Sequence, residues 1–254
     1  WAITDAAIHR RVAGAMQDKR LFIADGHHRY ETALNFRAHL KETDPGFSGS
    51  HPANHVMMYL CSMNDPGLII LPAHRLIKAV AEAQLDRAID DARAYFDIAE
   101  YSFTPGDRRQ TEAVFLADLD ARKNHQSIGV YGRGKRTFRL LTLKDGVMDR
   151  LYGEELDASL RSLDVTVLTR LFFMQILGFD RQRLDDERLI GYASTADKAL
   201  EAIDNGAFDA AFLLNPTRIE QVQEVAQKGL IMPRKSTYFY PKVKSGLVMN
   251  SLRG

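Results

Sequence analysis

The chain has 254 residues, 45% of them hydrophobic and 26% charged, the balance of a globular protein that can bury a sizeable core without disulfides or a structural metal. Its 34 basic and 33 acidic side chains leave a net charge of +1, which excludes a global field for nucleic acid or membranes, so any anion site must be local. No stretch approaches the roughly 20 apolar residues of a membrane helix.

The opening, WAITDAAIHRRVAGAM, has no secretory apolar core and no initiator Met, and reads as a piece of a longer polypeptide. A single cysteine, Cys61, cannot form an internal disulfide, which favours a reducing and therefore cytoplasmic setting. Lying within the apolar run VMMYLCSM with nothing basic beside it, Cys61 is expected to be a buried core thiol.

In chain order, Ile8, Val12 and Met16 stand at helical spacing, and Leu21 to Ala24 reads as a short buried strand ended by Asp25-Gly26. A helix is expected from His28 through Leu40, then a loop over Thr43 to Asn54. HVMMYLCSM and GLIILPA read as neighbouring core strands around the turn NDPG, followed by a long helix from Arg75 to Phe96. TEAVFLADLDARKN is a helix, and SIGVYGRGKRTFRLLTLKDG alternates as a hairpin with its turn at Gly132 to Lys135. The glycines around Lys135 do not have Walker spacing, so a hairpin tip is preferred to a phosphate loop.

Leu163 to Phe179 reads as an apolar helix started by Asp164 and closed by Gly178, and STADKALEAIDNG as another ending at Gly206. AAFLLNP is a buried strand, and TRIEQVQEVAQKG a helix with Thr217 as N-cap and Glu220 completing a capping box. The tail from Met232 to Asn250 is irregular, then strand-like. The pattern predicts an α/β fold, with α+β as the alternative, built on a mixed sheet with flanking helices. A boundary near residues 103–111 would give one part over 1–102 and a second over 103–254; a single continuous domain is the alternative.

Three segments carry chemistry. In Ile23-Ala24-Asp25-Gly26-His27-His28-Arg29-Tyr30-Glu31, Gly26 permits a tight turn into a helix whose first N–H groups point outward. His27, His28 and Arg29 are three potentially cationic side chains in a first helical turn, which is unfavourable against the macrodipole unless a bound anion compensates; that points to phosphate. The structural alternative is that Asp25 caps the helix and the histidines bond to backbone. Adjacent histidines diverge by about 100° around a helix and make a poor transition-metal pair, whereas Mg²⁺ brought in by a phosphate needs only one or two carboxylates, here Asp25 and Glu31.

The second segment, Met232 to Lys242, offers Arg234, Lys235 and Lys242 with the hydroxyls of Ser236 and Thr237 as a clamp for a phosphate or carboxylate. A solvated basic loop is the plain alternative, and the near-neutral charge argues against a nucleic-acid strip. In the third, LPAHRL, His74 and Arg75 stand at a strand end, where α/β proteins place ligands. His74 is a candidate acid or base, with a buried structural role as the alternative.

The segments FIADGHHRYETAL, LIILPAHRL, LDVTVLT, AAFLLNPT and MPRKSTYFYPK, in this order over residues 22–242, resemble the domain-of-unknown-function 1015 family. Members of that family carry a further N-terminal region absent here. The DGHHR turn is also similar to that of the ParB and sulfiredoxin-like superfamily, which includes free-serine kinases and binds nucleotide phosphates at such a turn. That resemblance implies a phosphotransferase acting on a small molecule such as L-serine, with a nucleotide or pyrophosphate as co-substrate and Mg²⁺.

In that reading Gly26, His27, His28, Arg29, Lys235 and Ser236 bind phosphate, Asp25, His28 and Glu31 are catalytic, and His74, Arg75, Arg234 and Thr237 hold the substrate. The kinases' proposed catalytic carboxylate precedes the turn; the acids before Asp25 here are Asp5 and Asp18. A noncatalytic nucleotide sensor and a ParB-like nucleic-acid protein are the alternative functions. Donor, acceptor and oligomeric state are not legible in the sequence.

Overall fold

The computed structural model describes residues 2–244, 246–249, 251 and 252. The chain forms two compact units, one of residues 1–61 with 243–254 and one of 62–242. Among the described residues no helix is long and apolar enough to cross a membrane.

The first unit holds α1 (Ala6–Met16), started by the Asp5 carboxylate accepting the Ala7 N–H at 2.7 Å, and α2 (His27–Thr43). The loop after α2 folds back on it: Arg37 donates to Asn54 Oδ1 at 2.9 Å, and His51 stacks on Phe47 at 5.0 Å. Two expected strands are absent. Leu21–Ala24, exposed but for a half-buried Phe22, and the exposed run from His55 to Cys61 pair with nothing as strands, and Cys61 is exposed rather than buried. An apolar run becomes a strand only where a second edge satisfies its backbone, and the first unit supplies none among its described residues.

The second unit is built on β2 (His74–Ile77), β3 (Phe96–Ser102), β4 (Ser127–Gly132), β5 (Thr137–Leu143), β6 (Ile190–Ala193) and β7 (Ala210–Leu214). They form a six-stranded sheet in the order β3-β5-β4-β7-β2-β6, antiparallel at every pairing, with helices on both faces. The α and β content and the flanking helices match the sequence reading, in its α+β form. A separate ribbon pairs β1 (Ile69–Leu71) with β8 (Tyr238–Tyr240).

Alternation along the central strands feeds two cores. Ile77, Ile128, Val130, Leu141, Ala210, Phe212 and Leu214 face α3 (Glu82–Ala92) and the long apolar helix described below. Leu76, Tyr131, Phe138, Leu140, Ala211 and Leu213 face α4 (Arg108–Ala121) and α9 (Ala196–Asp204). Between them in chain order lie α5 (Val147–Tyr152), α6 (Ala158–Arg161), α7 (Asp164–Thr166) and α8 (Arg181–Asp185), and α10 (Ile219–Gln227) follows β7. α7 continues without a break into Val167–Ile176, where the turns widen to i→i+5 bonding, as from Leu177 N–H to Phe172 O at 2.9 Å.

Gly129 shows why that position in β4 has no side chain. A Cβ there would lie 2.6 Å from Phe115 Cζ and 3.2 Å from Leu213 Cβ, and Phe115 is held by stacking on Phe138 at 5.0 Å. Gly129→Ala is therefore expected to destabilise the unit by about 1–3 kcal/mol through overpacking, read as a lower urea midpoint; an unchanged midpoint would mean that α4 sits less tightly on the sheet.

The helix expected from Arg75 to Phe96 is a strand, a break and a helix, because Ala79 turns to φ 57° and β2 is taken up between β6 and β7. The last helix is capped one residue later than read, with Arg218 as N-cap and its N–H donated to Gln221 Oε1 at 3.0 Å. The division expected near 103–111 falls inside the second unit, since β3 before it pairs with β5 after it. Of the strand-like tail, Ser245 and Asn250 lie outside the described residues.

Candidate functional site

The DGHHR turn lies in the first unit. Gly26 takes the left-handed conformation, φ 84° and ψ 27°, and serves as N-cap of α2 with no side-chain cap, so Asp25 does not cap the helix. The first intrahelical bond runs from Tyr30 N–H to the Gly26 carbonyl at 3.0 Å, which leaves the His27 and His28 amides ahead of it at the positive end of the macrodipole. No acid occupies this first turn.

The Arg29 guanidinium folds back over Gly26: a Cβ on that glycine would lie 3.0 Å from Arg29 Nη2. Its Nη2 is 3.9 Å from Asp25 Oδ2, while His28 Nδ1 is 3.3 Å from Glu31 Oε2. His28, Arg29, Asp25 and Glu31 all have exposed side chains, so these pairs are screened by solvent. Among the described residues no group of three or more His, Cys, Asp or Glu surrounds a metal position.

Two other sequence-marked segments come together in the second unit. Arg75, in β2, is buried at 4% exposure, and its guanidinium donates to the carbonyls of Ala73 (2.5 Å), Lys235 (2.9 Å) and Arg234 (3.3 Å). It thereby ties the strand end to the basic loop. Burial pulls the Arg75 pKa down to about 10, partly offset by Tyr192, whose ring centroid lies 4.7 Å away.

In that loop Lys235 adopts φ 56°, Arg234 pairs with Asp185 at 2.9 Å, and Ser236 is buried with its hydroxyl donated to the Pro233 carbonyl. The Thr217 hydroxyl donates to the Ser236 carbonyl at 2.9 Å. Ser236 thus shapes the loop, and Thr237 follows it half-buried.

His74 sits beside Arg75 but faces the other side of the sheet, buried, with Nδ1 accepting the Leu214 N–H at 3.1 Å. Burial and then the Arg75 charge push its pKa down to about 4, so near neutrality it is uncharged with the proton on Nε2.

Sequence reading passed over two groups here. Tyr192 projects beside Arg75 from β6, a strand too short to be picked out by alternation. Asp164, read only as a helix start, opens onto a small polar recess with Asn124, Gln126, Asn215 and Arg218. Its pKa is pushed up to about 8 by burial, against the pull of the Arg218 charge and the Ser127 backbone N–H.

Residues 1–166 match the family model described as Protein of unknown function (DUF1015), and the chain belongs to that family. Comparison with curated proteins finds no match. Among solved structures, the chain is similar to a conserved hypothetical protein from Pyrococcus furiosus, at 15% identity over 85% of this chain and 68% of that one, with a TM-score of 0.41. It is also similar to a free serine kinase in complex with AMP, at 14% identity over 92% of this chain and 78% of that one, with a TM-score of 0.41. A mutant free serine kinase in complex with ADP has 13% identity over 83% of this chain and 80% of that one, with a TM-score of 0.36.

Proposed function

We propose that the first turn of α2 binds phosphate and that the protein transfers a phosphoryl group from a nucleotide or pyrophosphate to a small hydroxylated acceptor, L-serine being the one the sequence resemblance implies. The observation that carries this reading is the uncapped helix start at Gly26, with His27, His28 and Arg29 crowded into a first turn that holds no acid. Positive side chains at the positive end of a helix are stabilised by a bound anion, and transfer of a phosphoryl group depends chiefly on such positioning and charge neutralisation. Mg²⁺ would neutralise charge on the phosphates; Asp25 and Glu31 are exposed carboxylates that a metal carried in by phosphate could reach.

Binding without turnover is the second reading. It is favoured by the two carboxylates each standing beside a side-chain nitrogen, Asp25 by the Arg29 guanidinium and Glu31 by the His28 ring, rather than apart as a base. Incubation with Mg²⁺, L-serine and either ATP, ADP or pyrophosphate separates the two, with phosphoserine read by mass spectrometry. Product with one donor supports transfer; phosphate binding with no product from any donor supports the sensor.

Both readings require the turn itself. Arg29→Ala is expected to weaken phosphate binding by about tenfold to a hundredfold, since a charge-assisted hydrogen bond contributes about 1.5–3 kcal/mol. Calorimetry with inorganic phosphate checks this, and an Arg29→Ala chain that binds as well as wild type rules the site out.

A further inference from the structure

The second unit contains a cleft of about 430 Å³. Its floor is apolar, with Phe173 at 1% and Ile190 at 4% exposure, while Tyr192 stands in its wall 40% exposed. Its rim is cationic. Arg234 on that rim is neutralised by Asp185, but among the described residues no carboxylate lies within ion-pair distance of Arg75, Arg181 or Lys235. Glu187 is the one acid on the wall outside a described ion pair, so positive charge is in surplus.

Arg75 is the informative member. A guanidinium buried at 4% exposure is held here by three neutral carbonyls and the Tyr192 ring, with no counter-ion among the described residues. Burying a charge without an opposite charge is unfavourable, and a bound anion facing the cleft relieves it. Lys235 Nζ also stands over Tyr192, 5.7 Å from the ring centroid, so two cations converge on one aromatic wall. Arg170, whose guanidinium pairs with Glu155, also lines the cleft, and its buried Nε–H has no hydrogen-bond partner among the described residues.

We propose that this cleft binds an organic anion, its phosphate or carboxylate head held by Lys235 and the field of Arg75, and its flat or apolar body lodged against Tyr192, Phe173 and Ile190. The volume is that of a small-molecule site, and an apolar floor with a few convergent polar groups is how such sites achieve both affinity and orientation. The proposal shares Arg75 and Lys235 with the roles that the sequence resemblance implies for them, but it uses no residue of the turn at Gly26, so it stands or falls separately from phosphate binding there.

Phenyl phosphate, benzoate and inorganic phosphate, titrated calorimetrically into the whole chain, test it. Phenyl phosphate or benzoate is expected to bind more tightly than inorganic phosphate, and the tighter of the two identifies the head group. Lys235→Met and Tyr192→Ala, both exposed positions, should each weaken that binding tenfold or more with the circular dichroism spectrum unchanged, while Arg29→Ala should leave it as it is. Absence of binding at millimolar probe, wild-type affinity in both cleft variants, or loss of binding in Arg29→Ala alone would each overturn the proposal.

Discussion

Phe212→Ala is expected to cost about 3–5 kcal/mol, the range for emptying a fully buried aromatic position. Phe212 is 0% exposed on β7, the strand between β4 and β2, and two aromatic edges meet it: Phe172 at 5.1 Å and Phe173 at 4.9 Å, both T-shaped. Those two rings come from the widened turns of the helix after Asp164, so Phe212 is where that helix is fastened to the sheet. Domains of this kind are stable by about 5–15 kcal/mol, so the loss is a large share of the total. Urea unfolding measures it directly; a change below about 1 kcal/mol would show that the site collapses around the smaller side chain.

The second large effect concerns pH. In the unfolded chain the Asp164 carboxyl should titrate near the ordinary value of about 3.9, whereas in the folded protein burial pushes it up to about 8. Between those values the native state holds a proton that the unfolded state has released, so stability falls as pH rises through this window and is greatest below it. Each pKa unit is worth about 1.4 kcal/mol, which makes the swing several kcal/mol. Asp164→Asn, which keeps the shape and removes the titration, should be more stable than wild type at pH 8 and show a flatter profile from pH 4 to 8. Parallel urea midpoints for the two proteins over that range would refute the assignment.

Where the sequence was legible, local pattern and final environment agree. The hairpin of β4 and β5 is written in period-two pattern around Gly132 to Lys135, with Ile128, Val130 and Leu141 on one face and Tyr131, Phe138 and Leu140 on the other. The same holds for β7 and for α9, whose apolar residues Ala199, Leu200 and Ile203 meet the sheet. Where it was not legible, a pattern had two physical outcomes. The apolar residues Leu76, Val80, Leu85 and Ile89 fit one long helix, yet the backbone reverses at Ala79 and the first of them belongs to a strand.

The run around Met57 and Tyr59 is apolar enough for a core strand, but strand formation depends on a partner edge, which composition does not encode. For the candidate sites, side-chain type singles out the turn at His27 to Arg29 and the basic loop at Arg234 and Lys235. The union of that loop with Arg75 was invisible, because it depends on backbone carbonyls, which every residue possesses. Tyr192 and Asp164 gain their character from burial and neighbours about which a linear string is silent.

The order of strands in the sheet also sets a timetable for the growing chain. β2 is made early, but both its neighbours, β6 and β7, come later by roughly a hundred residues or more. At synthesis rates of about 5–20 residues per second, β2 leaves the ribosome roughly 5–20 s before it has an edge to join. β3, β4 and β5, by contrast, follow one another closely and can pair as they emerge. During that interval the backbone of Arg75 to Ile77 has no strand partner of its own, and the carbonyls of Arg234 and Lys235 that will hold the Arg75 guanidinium do not yet exist. The segment that organises the cleft is thus the part of the sheet that relies longest on the cell to keep it from pairing elsewhere.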